Sequence, residues 1–568
     1  MAKPLNVSVR ILPKDPLVAR RDGLWPVKAN LTCATLGHGP TSSRVAVVDY
    51  NADLDTRFAP ARMLSSKKGF RGIDGRSDEK LLDSFTFHQV NVWAIIEEIL
   101  NRLENHRALG RPIPWASGFG RLLVLPHAGY EANAFYDRET GALHFFYFEG
   151  LDGKPVYTCL SHDIIAHELG HAILDGLKPG YNDVSSAETA GFHEYFGDAI
   201  AMTASLRRRE IALLVTKGAP QRLAAKNVVS AIASEFGAAH HGVAAKDYLR
   251  GAWNSRKMSD LRGTYQEHDW SEILTGVYYS LLQYLYQRNL KRIVKEDDAA
   301  KKKRTAGKKW QQSMKALINA ADQTANVMLR AIDYCPPVDL RYNEFARALL
   351  RADEVSYPID TLGIRTELQR IFRKRGLVPP KEDPKRRSDI VRALRDARPI
   401  DEITATPVDA YRFLDQHRDL FGIPGDANLA VPSVYRTNKQ AANGYWAPKE
   451  RIVEFTWSED VKLAGRRYGS LDGTFFPLLC GGTLVFDSSG NFLHMSLVLP
   501  DKKRRRELQD YIAYLVREGS IGVADGLRGI GAPRADDFRI RATIDENRLR
   551  LVRNAAMRHS TPHHGGHA

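Results

Sequence analysis

His167-Glu168-Leu169-Gly170-His171 puts two imidazoles and a carboxylate within five residues. On a helix, residues four apart project from one face, so His167 and His171 can hold one metal ion between them. Glu168 lies beside them, where a carboxylate can take a proton from a water that the ion polarises. Catalytic zinc takes three protein ligands and keeps one position open, so a third donor must come from another element. The chain turns at Lys178-Pro179-Gly180 and restarts through Ser185-Ser186-Ala187-Glu188, a capping-box pattern. The helix opened there carries Glu194, which suits the third-ligand role. Asp198, one turn on and on the same face, suits an acceptor that holds a ligand imidazole in its tautomer. The apolar or small residues Ala190, Gly191, Phe192, Tyr195, Phe196 and Ile200 predict that this helix is buried and not a solvated charged face.

The rest of the chain must position that pair of helices. Residues 7–12 and 44–48 alternate in the manner of strands, and 84–106 carry helical periodicity. Strands return at 121–125 and at 143–148, the latter entered through the Arg138-Glu139-Thr140-Gly141 turn. From 161 to about 375 the pattern is almost wholly helical, broken by a Lys-rich stretch near 297–309. Pro379-Pro380-Lys381-Glu382-Asp383-Pro384 reads as the start of a linker. Beyond it, 388–420 reads as helix, 483–487 and 492–499 as strands around an Asp487-Ser488-Ser489-Gly490-Asn491 turn, and 503–517 as helix. The expected organisation is a β-rich segment over 1–150, a helical segment over 151–375 and a basic linker over 376–390. A small α+β module over 391–555, for partner binding or placement, and a disordered His-rich tail over 556–568 follow.

His167-Glu168-Leu169-Gly170-His171-Ala172-Ile173-Leu174-Asp175, followed by Glu188-Thr189-Ala190-Gly191-Phe192-His193-Glu194-Tyr195-Phe196-Gly197-Asp198, resembles the zinc-site pair of thermolysin-like metallopeptidases, the gluzincins. The resemblance implies one catalytic zinc on His167, His171 and Glu194, Glu168 as general base, and Asp198 behind a ligand. It implies an α+β fold of two lobes, β-rich then helical, with the cleft between them. Asn133-Ala134-Phe135-Tyr136 is similar to the family's edge-strand motif, in which the asparagine side chain and alanine backbone grip an extended peptide. His268 falls where the family places a histidine that donates to the developing oxyanion, and Tyr181 falls near its tyrosine donor. The interval between the two zinc motifs is longer here, in the loop around 181–185. His88 recurs near the family's upstream helix, and a structural role is expected for it.

The activity so implied is zinc metalloendopeptidase, acting on a peptide or protein substrate. A zinc aminopeptidase is the rival in the same class, but the Gly-x-Met-Glu-Asn motif that would bind a free amine is missing. A catalytically silent protein working through its C-terminal module is the rival outside it. The family's double calcium site is not expected, since 199–246 offer only Glu210 and Glu235 as acidic residues. The four cysteines, Cys33, Cys159, Cys335 and Cys480, are far apart and read as thiols or small hydrophobes, not as disulfides. No run of eighteen apolar residues is present, so no membrane partner is expected. The N-terminus lacks a secretory h-region, which points to the cytoplasm, with leaderless export as the alternative. The net charge of +15 gathers in runs such as Lys301-Lys302-Lys303-Arg304 and Lys502-Lys503-Arg504-Arg505-Arg506. No stacking motif or zinc-finger spacing accompanies them, so they read as solvated segments and nucleic acid is not the expected partner.

Overall fold

The computed structural model describes residues 4–217, 250–299, 306–397, 399–440, 445–523 and 538–554, with Leu223, Asn227, Val229, Ala231 and Ile232. It is a mixed helix-and-sheet protein. The expected His-rich tail and the Lys301–Arg304 run lie outside the described residues.

The chain opens with an antiparallel pair, β1 (Leu5–Ile11) and β2 (Val27–Cys33), in which Val7 pairs with Leu31 and Val9 with Ala29. These apolar residues point inward, so strict alternation buries one face of the pair. A four-stranded sheet follows, in the order β3 (Val45–Val47), β4 (Leu122–Leu125), β6 (Ala142–Phe145), β5 (Ala134–Asp137). β3, β4 and β6 run parallel, whereas β5 and β6 form the hairpin that the 138–141 turn predicts. Gly141 takes φ 62° there, a left-handed conformation that favours glycine. β5 is therefore an edge strand. Helix α1 (Phe85–Leu103), buried along most of its length, packs on β1 and on the helix that carries His167.

That helix, α2 (His162–Leu177), is buried at every position, and the Ser161 hydroxyl caps it by accepting from Ile164 N–H. α3 (Ala187–Leu206) is capped by Ser186, which accepts from Thr189 N–H at 3.3 Å. The cap falls one residue later than the expected Ser185–Glu188 box, so that box does not form, and Glu188 instead accepts from the Tyr342 N–H and pairs with Arg341. α4 (Glu267–Ala299), α5 (Ala306–Ile332), α6 (Tyr342–Ser356) and α7 (Ile364–Arg375) complete the helical region.

The stretch read as a linker is partly helix: Asp383 caps α8 (Pro384–Asp396) with Pro384 in its first turn. Beyond it a seven-stranded sheet runs in the order β7 (Ala430–Thr437), β8 (Glu450–Lys462), β9 (Phe475–Asp487), β13 (Arg548–Arg553), β12 (Ile540–Asp545), β11 (Ile521–Val523). β10 (Phe492–Val498) also pairs with β9, around the expected 487–491 turn, and α9 (Lys502–Arg517) follows. This sheet does not hang from a tether. Lys178, from the end of α2, is buried against Glu454 and donates to the Cys335 carbonyl at 2.8 Å. Asp333 meets Lys439 and Arg111, each at 2.7 Å, and Asp339 meets Arg504. Burial would raise the Asp339 carboxyl, but Arg341 and Arg504 overrule it and hold it at about 2. Among the described residues, no helix is long and apolar enough to cross a membrane, and all four cysteines are buried and unbridged.

Candidate functional site

α2 and α3 approach each other at two glycines. A Cβ on Gly170 would stand 2.7 Å from the Gly197 Cα, and one on Gly197 would press on the His167 ring at 2.7–3.0 Å. Without side chains at these positions, the His167 imidazole can lie against the α3 backbone. Its Nδ1 is then 3.0 Å from Asp198 Oδ1, which turns Nε2 toward Glu194 Oε2 at 3.5 Å. His171 Nε2 faces the other oxygen of the same carboxylate at 3.6 Å. The two imidazoles stand nearly perpendicular, 4.6 Å between centroids, and all four side chains are buried. Donors held at zinc-ligand distances by one tetrahedral ion would sit about 3.4 Å apart. The two His-to-Glu194 spacings are of that size, each to a different oxygen of the carboxylate, and an N₂O donor set suits such an ion.

Glu168 is the next residue on α2. The donor atoms of His167, Glu168 and His171 lie within 4.8 Å of one another. Glu168 Oε2 also accepts from the Tyr136 N–H of edge strand β5 at 3.1 Å. Two turns along α2, buried Asp175 accepts from the Tyr136 hydroxyl at 2.9 Å and from Arg138 Nε at 2.8 Å. Two carboxylates on one helix face thus fix β5 alongside the cluster. Burial and Asp175 push the Tyr136 phenol far above its ordinary value, so it stays a donor.

His268 stands in the first turn of α4, with Nδ1 3.4 Å from Glu194 Oε2. Its side chain is 44 % exposed, unlike the buried groups around it. The neighbouring Glu267 pairs at 3.3 Å with Arg553 of β13, so the C-terminal sheet reaches the rim of the cluster. A cleft of about 690 Å³ lies between β5 and β13, lined by Phe135, Tyr136 and Arg138 on one side and Leu549, Leu551 and Arg553 on the other. β13 pairs with β12 along its whole length, but with β9 only at Phe475–Arg548, so its other edge is open to this cleft among the described residues.

Two residues are placed differently from the expectation. The Tyr181 hydroxyl is fully buried and donates to the Pro336 carbonyl at 2.7 Å, beside the Gly180–Val338 bridge. Its donor is committed to the fold, which corrects the oxyanion assignment. Asn133 precedes an edge strand as expected, but its side-chain oxygen accepts from Ala134 N–H at 2.9 Å and its amide donates to Glu131 at 3.1 Å. Both gripping groups are thus engaged within their own chain segment. Sequence reasoning missed Tyr136, Arg138 and Asp175, and also His193, whose Nδ1 lies 3.4 Å from His171 Nδ1. His193 adjoins Glu194 in the sequence, and that adjacency was the one available signal.

No family model matches the chain, and no curated protein matches it.

Proposed function

We propose that this protein is a zinc-dependent metalloendopeptidase with the two-lobed, thermolysin-like arrangement, its cleft lying beside β5. One observation carries the reading: His167 Nε2 and His171 Nε2 face the two oxygens of Glu194 at 3.5 and 3.6 Å, with Asp198 fixing His167 from behind. Zinc held by these three residues would polarise the scissile carbonyl and lower the pKa of a water. Glu168, oriented by the Tyr136 N–H, takes the proton of the attacking water and returns it to the departing amine. His268, the exposed member of the group, donates to the carbonyl oxygen as it gains charge. The peptide substrate occupies the cleft between β5 and β13. The short separation between Glu168 and β5 supports this placement, because it brings the base to a wall of the cleft.

The test is metal analysis of the purified protein together with cleavage of N-terminally blocked peptides. An endopeptidase contains zinc, cuts blocked substrates internally and stops on chelation. Zinc-loaded protein that cuts only free N-termini is an aminopeptidase, and zinc-loaded protein that cuts nothing overturns the enzymatic reading.

A further inference from the structure

A second pair of histidines is buried apart from the residues given a role in that chemistry. His88 on α1 and His127 in the loop after β4 are both wholly buried, and His88 Nδ1 lies 2.9 Å from His127 Nε2. Their outward nitrogens are both anchored. His88 Nε2 is 2.7 Å from the Leu82 carbonyl, which only an N–H can meet, so Nδ1 carries the lone pair. His127 Nδ1 is 2.8 Å from Asp49 Oδ1, and Asp49 Oδ2 in turn accepts from Gln89 at 2.7 Å. Each ring is thus held from behind by an oxygen and turns its other nitrogen toward a common centre. The Cys159 thiol, also wholly buried, completes a set whose donor atoms all lie within 4.8 Å of one another. An imidazole fixed from behind by a carboxylate is the arrangement that metal sites use, and His167 with Asp198 repeats it in this same molecule.

We propose that His88, His127 and Cys159 form a second metal site, which takes a divalent thiophilic ion of the zinc class. Binding replaces the proton shared between the two rings and the Cys159 thiol proton, and the ion then faces one thiolate with the Asp49 carboxylate behind His127. The two nitrogens need to part by only about 0.5 Å to flank an ion at zinc–imidazole distances. The rings of Phe85, stacked on His127 at 4.0 Å, and Tyr157, 4.7 Å from His88, pack against the group. The site is a clasp. It joins α1, the loop after β4 and the turn of Cys159, three residues before α2 begins.

The proposal does not depend on the peptidase reading, and sulfur makes the two separable. Protein produced in cobalt-supplemented medium is expected to show a near-ultraviolet thiolate-to-cobalt charge-transfer band, which His167, His171 and Glu194 cannot give. The band should persist in the His167→Ala/His171→Ala variant and vanish in Cys159→Ser, with metal content falling from two equivalents to one in each. X-ray absorption of the wild-type zinc protein supplies a check without any variant, as sulfur among the zinc neighbours. Absence of both the band and the sulfur contribution overturns the site and leaves a hydrogen-bonded histidine pair. A band that survives Cys159→Ser overturns the assignment of its donor.

Discussion

Two of the buried histidine pairs among the described residues each have one ring fixed from behind by an aspartate: His167 by Asp198 and His127 by Asp49. They differ in what surrounds them. The His167/His171 pair faces a carboxylate, has Glu168 beside it on α2 in contact with edge strand β5, and has the half-exposed His268 at its rim. The His88/His127 pair faces a thiol and is shut in by aromatic rings. An imidazole pair alone therefore does not make a reaction centre. The proposed reaction centre needs a nearby base as well, and Glu168 stands beside the first pair.

The largest expected effect tests that distinction. Glu168→Gln keeps the size of the side chain and its contact with Tyr136 but removes the base. Hydrolysis of a blocked peptide should fall by about 10²–10⁴-fold while bound metal, measured on the same sample, stays constant. Wild-type rates in metal-loaded Glu168→Gln would make the first cluster as inert as the second.

The two anchoring aspartates sharpen the comparison. Asp198→Asn should weaken metal binding at the first cluster by about 10–100-fold, since a ligand imidazole loses its charged support. Asp49→Asn should leave turnover per folded molecule unchanged, because nothing in its hydrogen-bond chain reaches the cleft. Its effect belongs in the melting temperature. Equal losses of turnover from both would mean that the clusters act as one.

How much of this was legible follows from distance along the chain. His167 with His171, and Glu194 with Asp198, repeat at four residues on single helices, so periodicity alone displayed both halves of the first cluster. The 487–491 turn and α9 were local patterns too and stand where expected, whereas the strand expected at 143–148 breaks at Phe146 and Tyr147–Glu149 pairs in a separate sheet. Tyr136 meets Asp175 across 39 residues, and His127 meets Asp49 across 78, so no window of sequence contains either pair. The linker reading at 376–390 relied on composition, and Asp383 and Pro384 turned out to be starting a helix. The burial of the C-terminal sheet against Lys178, Asp333 and Asp339 could not be read locally, because each partner is more than a hundred residues away or on another element. Tyr181 failed for a related reason: its partner, the Pro336 carbonyl, is 155 residues further on.

Acid probes the sheet junction. Asp339 is held at about 2, below its ordinary 3.8, so the folded state keeps its carboxylate while the unfolded chain takes up a proton. Its contribution is fully present above pH ~4 and is lost as the pH falls through about 2, a loss of roughly 2 kcal/mol. Denaturant unfolding from pH 5 to 2 should show this acid limb in the wild type and a flatter one in Arg504→Met, whose starting stability is lower. An unchanged limb in that variant would place the acid-sensitive carboxylates elsewhere.

The smallest expected effect concerns the residue that the family resemblance and the structure place differently. Tyr181→Phe removes a buried hydroxyl and leaves the Pro336 carbonyl without that donor, at a cost of about 1 kcal/mol in stability. Because the hydroxyl is spent on the backbone, kcat and KM should match the wild type. A tenfold fall in kcat with an unchanged melting temperature would show that the hydroxyl leaves Pro336 during turnover. Tyr181 would then join His268 on the reactive side of the comparison.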